Sequence, residues 1–222
     1  MHDENLEVVL VDLHSSLVDA ARHLGFIDDV RVKGLSWTNI KDVPRAPGTV
    51  FVSPANSLGF MDGGIDYTLS RLMFPEVEGR VRAAIAAGGK LTLLGRPFCP
   101  IGEAIMVAAS SPDVYMVSAP TMWLPQDVHQ THNAYHAMYA VLRETETNPA
   151  LVKRIYTSGM CTGCGGMPPL EAIHQMMQAY HDFFAGHAPR HGDTAFIIDE
   201  QPDWYENTEF KTIPASQVRL HR

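Results

Sequence analysis

Apolar residues along this chain fall into short β-branched runs that alternate with stretches of helical spacing, the pattern of an α/β fold. Glu7 to Val11 (EVVLV) reads as a buried strand. Ser15 or Ser16 can cap a following helix with Leu17, Val18, Ala21 and Leu24 on one face, stopped at Gly25. Val30 to Val32 predicts a second strand, and the proline-broken stretch Lys41 to Gly48 leads into a third at Val50 to Val52. Ile65, Leu69 and Leu72 recur at helical spacing, and Pro75 precedes a helix with Val77, Val81, Ala84 and Ile85 inward, ended by Gly88-Gly89. Three runs then predict strands: Leu91 to Leu94, Glu103 to Ala108, and Val114 to Val117 after the turn Ser110-Ser111-Pro112-Asp113. A helix from about Gln126 to Glu146 carries Tyr135, Met138, Tyr139 and Leu142. After the strand Ile155-Tyr156, a last helix carries Leu170, Ile173, Met177, Tyr180 and Phe184.

Composition narrows the class without changing this picture. A chain of 222 residues, 45% apolar, predicts one α/β domain with additions. The net charge of −8 and the lack of a basic stripe argue against non-specific nucleic-acid binding, though not against a nucleotide pocket. Three cysteines suit a reducing compartment better than a disulfide scaffold. With no apolar run near ~20 residues and an acidic start (MHDENLE), the expectation is a cytoplasmic protein with no membrane partner. Between Gly192 and Glu209 six acids (Asp193, Asp199, Glu200, Asp203, Glu206, Glu209) occur without Lys or Arg. The expected organisation is therefore a domain over 1–190, including the N-terminal strand and helix, and an acidic extension over 191–222. That extension reads equally as a packed tail, an interaction segment or a flap. Oligomeric state is not legible.

Two loops carry the candidate chemistry. In the first, VFVSPANSLGFMDGGID, a strand stops at Ser53-Pro54, followed by Asn56, an amide that both donates and accepts, and by Gly63-Gly64 at a helix start. Asp66 follows in the first turn. In the second, Cys161-Thr162-Gly163-Cys164-Gly165-Gly166-Met167-Pro168 again lies between a strand and a helix. Strand, glycine loop, helix start is the arrangement that points bare amides at an anion, usually a phosphate. Either loop alone is a weak signal, since most glycine turns are only turns.

Together the two loops resemble those of macrodomains. SPANSLGFMDGGID resembles the family's first ligand loop, written NAAN, a variable piece, GGG, V, D: Asn56 takes the second Asn, Gly63 and Gly64 the end of the glycine run, Ile65 the Val and Asp66 the Asp. CTGCGGMP resembles the family's GTGxGGxP phosphate loop, and Gly102-Glu103-Ala104 its GxA segment. The resemblance spans roughly Val30 to Phe184. It implies a three-layer α/β/α sandwich with a central mixed sheet, and ADP-ribose, free or attached to a carrier, as the ligand. It also implies ligand contacts from Asn56, Gly63, Gly64, Ile65, Asp66, Thr162, Gly163, Cys164, Gly165, Gly166 and Met167. In the family's hydrolase branch the residues matching Asn56 and Asp66 are catalytic, removing mono-ADP-ribosyl or O-acetyl-ADP-ribose linkages. The alternative is a non-catalytic reader of ADP-ribose or a related nucleotide. No cofactor is implied.

The chain also departs from the family's pattern. The family's Gly-Asp-Ile-Thr-like segment, whose Asp meets adenine, has no obvious counterpart: Gly34 is followed by Leu35-Ser36. Asp12, at the end of the first strand, could supply that contact, or could simply cap Ser15-Ser16. Ser53-Pro54 stands in place of Asn-Ala. His129, His132 and His136 at i, i+3 and i+7 could share a helix flank as metal ligands, but no nearby carboxylate or Cys is read as a second shell, so no metal is expected. Cys161 and Cys164 spell CxxC, yet the glycines and prolines that follow place them in a loop instead of opening a helix as a redox site would. Asp66 itself could be no more than an acid favoured by the helix dipole.

Overall fold

The computed structural model describes residues 6–148 and 151–190. The proposed acidic extension lies outside the described residues. Six strands form one sheet: β1 (Glu7–Val11), β2 (Val32–Leu35), β3 (Thr49–Ser53), β4 (Ile105–Ala108), β5 (Val114–Ser118) and β6 (Arg154–Thr157), in spatial order β2-β1-β6-β3-β5-β4. All neighbours are parallel except β4, which runs antiparallel to β5 at the edge. The sheet is mixed, as expected.

Alternation along the central strands divides the core in two. Val8, Leu10, Val50, Val52 and Ile155 face one layer of helices: α1 (Ser16–His23), α4 (Asn133–Glu146) and α5 (Pro169–Phe184). Val9, Val11, Phe51, Met116 and Tyr156 face the other, built from α2 (Gly64–Tyr67), the π-helical turn Thr68–Met73 that continues it, and α3 (Val77–Ala87). Because strand side chains alternate faces, residues one apart feed different layers, and strands apolar at every position must be covered on both sides. The result is the three-layer α/β/α sandwich.

Several boundaries differ from the sequence pattern. Leu91 to Leu94 is not a strand: a single bridge, Leu91 to Pro97, closes a small hairpin in which Leu91, Leu93 and Leu94 are exposed. The run pairs with none of the six strands, and the outer side of the edge strand β4 is left without it. The second strand begins at Val32, with Val30 exposed. The helix expected from Gln126 starts at Asn133, where the Thr131 hydroxyl accepts the Asn133 amide at 3.2 Å. Leu72 is exposed and Met73 buried because the π-helical turn, closed by Phe74 N–H to the Leu69 carbonyl at 2.8 Å, advances the register by one residue. In α5 the buried stripe is Ile173, Met176, Tyr180 and Phe183, rotated slightly from the expected one.

Gly34 acquires a packing reason. A Cβ there would lie 2.5 Å from a methyl of fully buried Val18 on α1, so the glycine lets helix and strand meet. Gly34→Ala is expected to destabilise the fold by ~1–3 kcal/mol, an overpacking cost, measured by denaturant unfolding.

Candidate functional site

β3 and β6 lie side by side and parallel, yet the chain leaves them in opposite directions, from β3 into the α2–α3 layer and from β6 into α5 on the other face. Diverging connections open a crevice at the carboxyl ends of such strands. Here it is a cleft of about 330 Å³. Asn56, Gly63, Gly64, Ile65 and Asp66 line it from the first loop, with Thr162, Gly163, Cys164 and Gly165 from the second.

At Gly64 the backbone has φ of 55°, a conformation L side chains rarely take, and the first helical bond is made only at Tyr67, to the Gly63 carbonyl at 3.2 Å. The amides of Gly64, Ile65 and Asp66 therefore precede the hydrogen-bonded part of the helix. Gly163 is exposed, and no heavy atom lies within 4 Å of where its Cβ would be. Gly165 is the reverse. Its Cβ would sit 2.5 Å from the Cys161 carbonyl oxygen and 2.8 Å from Val128, so this glycine is needed for the loop to close on itself.

Asp66 is half-buried, and its carboxyl accepts a hydrogen bond from the Ser53 hydroxyl at 2.7 Å. Burial is the main influence on it and pushes its pKa up to about 7. The Ser53 bond works against that rise, while the carboxylates of Asp62 and Glu78 add to it. Glu78 is itself paired with Arg71 at 2.6 Å. A carboxyl poised near neutrality in a cleft is suited to proton transfer.

Asn56 lines the cleft but is largely engaged in its own loop. Its Nδ2 donates to the Phe60 carbonyl at 2.8 Å, and its Oδ1 accepts the amides of Leu58 at 3.1 Å and Phe60 at 3.3 Å. One N–H of its amide remains for another partner. Asp12, Gly166 and Met167 are not among the lining residues. The Asp12 carboxylate accepts the amides of His14 at 3.0 Å and Leu17 at 2.8 Å and the Ser16 hydroxyl at 3.3 Å, the capping role that was the alternative reading. The cap is thus Asp12 and not Ser15, whose side chain makes no cap bond. Met167 is buried in the core beside Ile173, and Gly166, with φ of 67°, turns the chain toward it.

Sequence pattern missed other parts of the wall: Phe60 and Asp62 in the first loop, Thr121, Met122 and Pro125 after β5, and Ser158 and Gly159 after β6. Thr121 and Met122 come to the cleft because β5 pairs with β3, and that pairing continues in the bridge between Asn56 and Met122. No local motif marks them; their only signal is strand order.

The histidine and cysteine alternatives also resolve. His129 lies before α4 with its ring nitrogen 2.6 Å from Asp127, His132 stands at the helix start, and only His136 is within the helix, so the three do not share a flank. Burial pushes the Cys161 thiol up to about 12, and burial with the Asp127 charge raises that of exposed Cys164. Neither is a ready thiolate.

A family model described as Macro domain matches residues 52–176, more than half of the chain. The chain belongs to the macrodomain family. An uncharacterized protein of Aquifex aeolicus (strain VF5) is 29% identical over 168 residues, 75% of this chain and 91% of that protein. One from Aeropyrum pernix is 28% identical over 142 residues, 62% of this macrodomain and 66% of the relative. Among solved structures, the macrodomain of Thermus aquaticus DarG superposes with a TM-score of 0.51 at 14% identity, covering 79% of this chain and 90% of that one. The fold of this macrodomain is therefore shared at low identity.

Two predictions follow from the geometry of the cleft. Gly163→Glu should fold normally yet lose anion binding, because it adds a carboxylate in open space at the loop, whereas Gly165→Glu should disrupt the loop and lower the melting temperature. Calorimetry with ADP-ribose alongside thermal melts separates the two. Asp66→Asn should stabilise the protein above pH 7 and change little near pH 4. Between about 4 and 7 the folded state keeps a proton that the unfolded chain releases, so folding stability falls as pH rises through that window. The variant removes that slope, worth at most ~4 kcal/mol, and melting curves at the two pH values measure it.

Proposed function

We propose that this macrodomain binds ADP-ribose in the cleft and hydrolyses mono-ADP-ribosyl or O-acetyl-ADP-ribose linkages, with Asp66 as the acting carboxylate. The observation that carries the reading is the position of Asp66: a half-buried carboxyl, with its pKa near neutrality, lines the same cleft as both glycine loops. Amides of Gly163 to Gly165 and of Gly64 to Asp66 would hold the diphosphate, since burying phosphate without donors is costly. The remaining N–H of Asn56 would reach a ribose hydroxyl. For a mono-ADP-ribosyl linkage, ionised Asp66 accepts a proton from a water as the water oxygen attacks the anomeric carbon of the distal ribose, and the bond from that carbon to the carrier breaks, its electron pair leaving with the carrier. For an O-acetyl ester the same water attacks the acetyl carbonyl carbon, and the acyl C–O bond breaks with its electron pair leaving on the ribose oxygen. A second reading, a binding module without turnover, is favoured by the extent to which the Asn56 amide is already committed to Leu58 and Phe60.

Calorimetry should show ADP-ribose binding at micromolar Kd, about −8 kcal/mol. Release of ADP-ribose from a mono-ADP-ribosylated protein should rise with pH through a midpoint near 7, as Asp66 ionises. Asp66→Ala should lower the rate ~10²–10³-fold with ADP-ribose affinity largely kept. Tight binding with no release from any linkage would leave the binding-module reading.

A further inference from the structure

Ser53 ends β3, the strand that leads into the first loop, and is completely buried. Its strand position is pinned from the neighbouring strand: Ser53 is in register with Ser118 of β5, and the Ala119 amide donates to the Ser53 carbonyl at 3.0 Å. The hydroxyl spans thirteen residues of sequence to donate to Oδ1 of Asp66 at 2.7 Å. Among the described residues it is the single hydrogen-bond donor to that carboxyl. The charges facing Asp66 are unfavourable to its ionised form: Asp62 comes from the same loop and Glu78 from α3, and Arg71 is engaged by Glu78. A neutral donor is thus what stabilises the carboxylate; it holds Oδ1, and the second oxygen has no donor among the described residues.

We propose that Ser53 is a positioning residue, whose hydroxyl aims the Asp66 carboxylate at the cleft and stabilises its charge against Asp62 and Glu78. The site thereby uses strand β3, paired on both sides within the sheet, to orient a group carried on a short and irregular helix. This rests on the reading of Asp66 as the acting carboxylate, but its first test does not require turnover. The titration of Asp66 is followed by carbon-13 NMR of the side-chain carboxyl in the ligand-free protein, with Asp66→Asn identifying the resonance. Ser53→Ala removes the donor to the ionised form and should raise the Asp66 midpoint by about one pH unit. The pH–rate profile should move upward by the same amount, with kcat reduced about fivefold at pH 7 and KM nearly unchanged. Ser53→Cys, close in volume and a weaker donor, should give an intermediate shift and serves if the alanine variant does not fold. An unchanged Asp66 midpoint in either folded variant overturns the proposal, because a serine that only fills space would leave titration alone. A raised midpoint together with a wild type that releases no ADP-ribose upholds the Ser53–Asp66 coupling and instead removes the hydrolase reading.

Discussion

Two parallel strands that touch along their length but send their connections to opposite faces cannot close the space beyond their ends, and this macrodomain is arranged around that fact. β3 and β6 are such a pair. The covering layers are each packed for their own reasons, α1, α4 and α5 against Val8, Leu10 and Ile155, and α2 and α3 against Phe51 and Tyr156. Their divergence leaves the cleft as a geometric remainder. What the sequence adds is the chemistry of the two turns at its mouth: amides, glycines and two carboxyls, with no basic side chain among the lining residues.

The same arrangement explains what could be read in advance. Elements buried on both faces, such as Val50 to Val52 and Ile155-Tyr156, have uninterrupted apolar runs and were legible, as were the two glycine loops that follow them. Leu91 to Leu94 has the same appearance, but strand formation requires a neighbour, and which edge is occupied is a property of the whole sheet. Met122 and Pro125 escaped for a related reason, since they reach the cleft only because β5 lies beside β3. Asp12 marks a third limit: a carboxylate at a strand end can meet a ligand or cap the next helix, and residue type alone does not choose between them. Hydrogen bonds to Leu17 and His14 do.

Local irregularity concentrates where the carboxyl must be placed. The segment after Gly63 makes one turn of α-helix and then a π-helical turn before Phe74, a rare feature often found at functional sites. The extra residue brings Leu69, Met73 and Phe74 into the core beneath the loop while Leu72 is turned out. Packing below therefore fixes the start of the helix above it, and with it the position of Asp66 over the end of β3.

The second loop divides its labour differently. Cys161, with φ of 64°, offers its carbonyl to the Met167 amide at 3.0 Å, and Gly165 packs tightly against that same carbonyl. These contacts close the loop from within, so Cys161 and Gly165 act as its frame even though both also line the cleft. Gly163 and Cys164, both exposed, line the cleft without such packing. A motif match assigns all of these positions one role because it sees only residue types in order. The packing separates them: Gly165 is a glycine because backbone must meet backbone there, whereas at Gly163 no neighbouring atom would meet a side chain, so close packing is not what requires it.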